Sequence, residues 1–180
     1  MTTRAHHRRP DTRCTPEAVR GHAVRVIGAG RTDCGDDAAG ALVARALRAR
    51  LPECIAVVEC PGEMYRLIEA WEGAEAVIVV DAVSSGAPPG TVYRLDAQRD
   101  PLPPDRSTST HGFGLAAALE LARALGLLPP RVVVYGIEGG DFGLGRPVTP
   151  RVHAAIDWVV ALAATEASSL NGGRAHEPAA

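Results

Sequence analysis

Three side chains in this sequence could hold a divalent metal together: Asp37, Asp81 and His111. Each falls on a segment that follows a strand-like run or opens a helix-like one, which in an open parallel sheet puts all three on one rim. Two carboxylate oxygens and one imidazole nitrogen suit a borderline divalent ion such as nickel, zinc or iron, with coordination positions left open for a reacting group. Each residue also has an ordinary explanation. Asp36 and Asp37 could simply oppose the positive end of a helix dipole, Asp81 could cap the turn through Ser84, Ser85 and Gly86, and His111 could be an exposed or hydrogen-bonded loop histidine.

The loop that carries Asp37 narrows the choice of ligand. Gly28 and Gly30 start a dinucleotide-type GxGxxG, but Asp33 occupies the third glycine position. With Asp36 and Asp37 it would face an incoming pyrophosphate with like charge, at considerable cost in a partly dry site. A cation or a basic peptide fits this loop better than a phosphate does. No GxSxG elbow and no HExxH helix is present, so neither a serine hydrolase nor a self-contained zinc protease is indicated. A formal net charge of -2 supplies no general positive field for a phosphate backbone, and a nucleic-acid partner is disfavoured. Cys14, Cys34, Cys54 and Cys60 form no CxxC pair and are read as reduced thiols. Acidic neighbours should keep Cys34 a protonated thiol.

The elements that must position these residues can be read from apolar periodicity. Strands are expected over residues 23–27, 55–59, 76–80, 90–95 and 131–137, and helices over 37–50, 63–72, 112–125 and 150–164. Their alternation predicts an α/β fold, a three-layer α/β/α sandwich with a mostly parallel five-stranded central sheet. Pro88 and Pro89 before the fourth strand mark it as an edge strand. Thr149 before Pro150 places a hydroxyl N-cap ahead of a proline at the first helical position, and Gly126 closes the third helix. Hydrophobic residues make up 46% of the 180, enough for one core. The expected organisation is a disordered polar tail over 1–21, a single domain over 22–167 and a flexible tail over 168–180. The longest apolar runs are strand-sized, well short of the roughly 20 residues that cross a bilayer. No secretory signal is read at the start, so the expected location is the cytoplasm.

At this point the residues resemble a family. Gly28-x-Gly30 followed by Asp36, Asp37 and Gly40 is similar to the opening block of the hydrogenase maturation endopeptidases. Three further blocks resemble that family in order: the strand ending Val79-Val80-Asp81-Ala82; Thr110-His111-Gly112-Phe113-Gly114-Leu115; and Gly136-Ile137-Glu138 through Phe142-Gly143 to Thr149-Pro150-x-Val152. The resemblance spans residues 23–164.

It implies an endopeptidase that removes the C-terminal extension of a nickel-loaded nickel–iron hydrogenase large subunit, with Asp37, Asp81 and His111 completing the coordination of a metal carried by that precursor. It also implies a monomer with no membrane or nucleic-acid partner. Three positions depart from the family pattern. Asp37 stands where a glutamate is usual, Arg31 replaces an asparagine, and the glycine-rich turn after the second strand reads Glu59-Cys60-Pro61-Gly62-Glu63-Met64, where Pro61 cannot take the positive φ open to glycine. Two other readings stand beside this one: a metal-checking scaffold or metallochaperone that binds without cutting, and a nucleotide-dependent oxidoreductase.

Overall fold

The computed structural model describes residues 14–100 and 113–172. In chain order its elements are α1 (Pro16–Val19), β1 (Val24–Ala29), a 3₁₀ turn (Gly35–Ala38), α2 (Ala39–Arg48), β2 (Ile55–Cys60), α3 (Met64–Trp71), β3 (Ala76–Val83), β4 (Val92–Asp96), α4 (Phe113–Leu125), β5 (Arg131–Glu138) and α5 (Pro150–Gly172). The five strands form one sheet in the order β2-β1-β3-β5-β4. All pairings are parallel except β4 with β5, so the expected mostly parallel sheet is present with β4 at its edge, and that edge strand runs antiparallel.

The sheet is buried on both faces, which explains why its strands read as continuous apolar runs. On one face Ile27, Val58, Val77, Val79 and Val134 pack with Val19 of α1, Leu67 and Trp71 of α3, and Leu119 of α4. On the other, Val26, Ile78, Val80, Tyr135 and Ile137 pack with Val43 and Leu47 of α2 and Val152, Val159 and Val160 of α5. Fully burying side chains of this kind is worth about 1.5–3 kcal/mol each. Edge strand β4 is fastened to α5 by Glu166, which takes a 2.6 Å bond from the Tyr135 hydroxyl and a 3.0 Å bond from Arg94 Nε. Burial, followed by the neighbouring Glu166, pushes the Tyr135 hydroxyl far above its usual titration range.

Three boundaries, and the state of the cysteines, differ from the expectations. The stretch 14–21, read as part of a polar tail, contains α1, capped by the Thr15 hydroxyl, and Val19 is buried in the core. Helix α5 runs to Gly172, past both residue 164 and the tail boundary at 168, because Ala163 and Ala167 are buried and Leu170 packs against the core. Strand β3 continues past Val80 to Val83, since β5 supplies partners as far as Glu138. The cysteines are not all reduced thiols. Cys14 and Cys60 form a disulfide across 46 residues of sequence, brought together where the Cys14 N–H donates to the Glu59 carbonyl at 3.0 Å. Cys34 and Cys54 are free. No helix among the described residues is long and apolar enough to cross a membrane.

One packing contact governs the C-terminal edge of the sheet. A Cβ on Gly28 would lie 2.1 Å from the Gly40 carbonyl oxygen, and a Cβ on Gly40 would lie 2.2 Å from the oxygen of Ala29 and 2.3 Å from that of Val80. The start of α2 therefore rests directly on the backbone of β1 and β3. Because backbone on both sides must shift, Gly40→Ala should cost at least about 3 kcal/mol and lower Tm by at least about 6 °C. Gly172→Ala meets open space and should leave Tm close to wild type. Thermal unfolding followed by circular dichroism checks both. A Gly40→Ala protein melting within 2 °C of wild type, on the order of experimental scatter, would contradict this packing.

Candidate active site

In this strand order the chain leaves β1 to one side for β2 and crosses to the other for β3, so the crevice at the C-terminal ends of β1 and β3 is a topological switch point, where open parallel sheets place ligands. The register fixes who sits there. Gly28 is the last residue of β1 paired with β3, opposite Val80, and β3 runs on past it. Asp81 is the next residue, opposite Gly136 of β5, so it stands just beyond the last β1–β3 pair. It is half-buried and lies inside the extended strand.

Asp37 reaches the same edge from the loop after β1. Gly30 has a φ of 115°, open to glycine but not to other residues without strain, and a Cβ there would lie 1.9 Å from the Asp37 carbonyl oxygen. The chain thus folds back so that Asp37 Oδ2 accepts the Arg31 N–H at 2.9 Å. Asp37 lies in the 3₁₀ turn that leads into α2, where its charge also opposes the positive end of the helix dipole. His111 lies outside the described residues. Among the described residues no three His, Cys, Asp or Glu side chains come together as a metal-binding group.

Asp36 does a different job from its neighbour. It is fully buried, and its Oδ2 accepts bonds from the Gly140 N–H (2.8 Å), the Asp141 N–H (3.0 Å) and the Thr149 hydroxyl (3.1 Å), while Oδ1 accepts the Thr149 N–H at 2.7 Å. The Asp36 and Gly35 N–H groups donate in turn to the carbonyls of Asp141 and Arg146. This carboxylate straps the loop between β5 and α5 onto the first loop. Thr149, expected as a helix cap, directly precedes α5, and its hydroxyl donates to Asp36.

Glu138 is the matching strap on the far side. It is buried at the end of β5, with Oε1 accepting the N–H groups of Ser85 (2.9 Å) and Gly86 (2.8 Å) and Oε2 accepting the Ser85 hydroxyl at 2.7 Å. The turn of Ser84, Ser85 and Gly86 is therefore held by Glu138, which was not singled out for any role. A carboxylate closing the apolar run 132–137 was the available signal, the same one that marks Asp81.

The remaining acidic groups of the rim are tied locally. The Cys34 thiol donates to Asp33 Oδ1 at 3.5 Å, which helps hold the Asp33 carboxyl below its usual range. Burial, then the Asp33 contact, pushes the Cys34 thiol up, so it stays protonated and poorly nucleophilic, as its acidic loop implied. Asp141 is held low by the Gly143 N–H and by Arg146.

With this edge assembled, comparison with known proteins becomes specific. The model of the hydrogenase maturation protease family matches residues 42–166, well over half of the chain. The chain belongs to that family. The match takes in Asp81 and His111 and begins within α2, after Asp37. A Methanocaldococcus jannaschii protein assigned as a hydrogenase maturation protease is 28% identical over 147 residues, 76% of this chain and 94% of the relative. The hydrogenase expression/formation protein HupD of Thiocapsa roseopersicina is 25% identical over 148 residues, 76% of this chain and 67% of that protein. In fold, this maturation protease is similar to the hydrogenase maturating endopeptidase HybD of Escherichia coli, with a TM-score of 0.64 at 24% identity over 78% of this chain and 88% of that one. It is likewise similar to HybD from Thermococcus kodakarensis, with a TM-score of 0.60 at 22% identity over 80% and 98% of the two chains.

In this maturation protease, Asp36→Asn should free the β5–α5 loop. The amide puts two donors among four donors and removes the charge that strengthens the bonds. Hydrogen exchange at Gly140, Asp141 and Thr149 should accelerate by at least about tenfold, one hydrogen bond to a charged group being worth roughly 1.5–3 kcal/mol. Amides at the centre of β3 and β5 should stay protected. Wild-type protection at all three loop positions would remove Asp36 as the strap.

Proposed function

We propose that this enzyme hydrolyses one peptide bond near the C-terminus of a nickel–iron hydrogenase large subunit after nickel has been inserted, acting as a monomer in the cytoplasm. The observation that carries the reading is the placement of Asp37 and Asp81 at the β1–β3 switch point, in a chain of the hydrogenase maturation protease family. Asp37 arrives from the loop after β1 and Asp81 from β3, and both are less buried than the neighbouring Asp36 and Glu138.

In this reading the metal belongs to the substrate. Asp37, Asp81 and His111 complete its coordination and so bind only a precursor that carries it. A metal so held can polarise the scissile carbonyl or lower the pKa of a bound water. The protein's part is to present two fixed oxygens and a histidine, and to orient the tail across them. Recognition of loading and the cut are thereby one event. Asp37 is one methylene shorter than glutamate, and its backbone is drawn inward at Gly30, so its reach is set by the loop as much as by its side chain.

Intact mass spectrometry of nickel-loaded precursor, incubated with and without the protein, tests the proposal. Wild type should remove the tail. Asp81→Asn keeps the volume and one acceptor oxygen but loses the charge that draws the metal, and His111→Ala loses the imidazole. Each should lower kcat/KM by at least about a hundredfold, equivalent to roughly 2.7 kcal/mol of transition-state stabilisation, with circular dichroism and Tm unchanged. Stable association with the precursor and no change in its mass would favour the metal-checking scaffold instead. Wild-type cleavage by Asp81→Asn would reduce Asp81 to a structural residue.

A further inference from the structure

The disulfide between Cys14 and Cys60 joins the only described segment ahead of β1 to the last residue of β2. Cys60 is also the first residue of the turn that departs most from the family pattern. Its carbonyl accepts the Gly30 N–H at 3.0 Å, tying it to the loop that carries Asp37. Two residues on, Gly62 takes a φ of 83°, and a Cβ on Gly114 of α4 would lie 2.0 Å from the Gly62 carbonyl oxygen. The turn 60–63 is thus wedged between the Asp37 loop and the start of α4, and the disulfide pins it from beneath.

We propose that Cys14–Cys60 is a reversible redox site: oxidised, it ties α1 to the end of β2 and holds the turn 60–63 beside the Asp37 loop, and reduced by a dithiol it lets both loosen. Two features suit the pair to both states. The Cys14 sulfur lies 3.3 Å from the Arg66 carbonyl oxygen, so the thiol finds a hydrogen-bond acceptor already in place. Cys60 stays held by the β1–β2 ladder whether or not its sulfur is bonded. Helix α1, by contrast, is four residues long, far too short to persist on helix propensity, and depends on what anchors it. A disulfide in a reducing compartment is typically transient, catalytic or redox-sensing. That last step rests on the cytoplasmic reading above, whereas the experiment below reads thiols and does not depend on cleavage.

The chemistry balances with a dithiol reductant. A thiolate of the dithiol attacks one sulfur of the pair, forming a mixed disulfide and releasing the other cysteine as thiolate. The second thiol then displaces the first cysteine and closes a cyclic disulfide. Two electrons and two protons pass to Cys14 and Cys60. Both sulfurs are buried, so this exchange requires α1 to open, and opening is the step the tether controls.

Full-length protein, oxidised in air and then treated or not with dithiothreitol, is alkylated with iodoacetamide and mapped by mass spectrometry. Before reduction, Cys54 should be labelled and Cys14 and Cys60 should not; after reduction both should be labelled. Reduction should lower Tm by about 5–15 °C, as loss of a disulfide closing a loop of this length implies, and should speed hydrogen exchange at residues 15–22 and 61–66 at least about tenfold, with β1 and β3 unchanged. Re-oxidation should restore both. The Cys14→Ser/Cys60→Ser protein should behave as the reduced form and ignore dithiothreitol. If that variant does not fold, the wild-type comparison decides alone. Labelling of Cys14 and Cys60 before any reductant is added, or exchange and Tm that do not differ between the two forms, would overturn the proposal.

Discussion

Everything on the C-terminal edge depends on a backbone contact that has room for no side chain. Where β1 ends and α2 begins, Gly28 and Gly40 meet with carbonyl oxygens at the positions their Cβ atoms would occupy. Because Gly40 also abuts the Val80 carbonyl, the same contact sets the distance from the first loop to the end of β3. Asp37 is three residues before this contact and Asp81 one residue after it. A helix standing off by even one methyl group would carry Asp37 away from the switch point. Gly28 and Gly40 are therefore geometric requirements for placing Asp37 and Asp81 on this edge.

Around that contact the edge separates its acids by burial. Asp36 and Glu138 are inside, and each spends its oxygens on backbone N–H groups and hydroxyls of one loop. Buried carboxylates this well satisfied act as fasteners, since their charge is balanced by donors on every side. Asp37 and Asp81 are half-buried beside them. Asp37 Oδ2 accepts the Arg31 N–H at 2.9 Å, one bond against the four that Asp36 accepts. The division gives the edge its rigid loops.

Much of this was legible in the sequence, and the failures have physical reasons. Strands buried on both faces write themselves as apolar runs, so β1, β2, β3 and β5 were readable, and Pro88 and Pro89 announced β4 as an edge strand. The choice of Asp81 came from a carboxylate interrupting such a run. The division of labour between Asp36 and Asp37 was not readable, because a 3₁₀ turn rotates successive residues by about 120° and only the packed loop decides which one points inward. The Cys14–Cys60 pair was hidden for a similar reason. Forty-six residues separate the two, and nothing in their local sequence says that α1 lies along the end of β2. The last turns of α5 were missed because the polar run Ser168-Ser169 and Asn171-Gly172 hides the sparse buried side marked by Ala167 and Leu170.

In the proposed reading the metal arrives with the substrate, and Asp37, Asp81 and His111 complete its coordination. The most direct test compares the same large-subunit precursor with and without nickel, each offered to the wild-type protein and followed by intact mass. The nickel-loaded precursor should lose its C-terminal extension while the nickel-free precursor keeps it. Equal cleavage of the two would contradict the account, since Asp37, Asp81 and His111 would then have no metal to recognise.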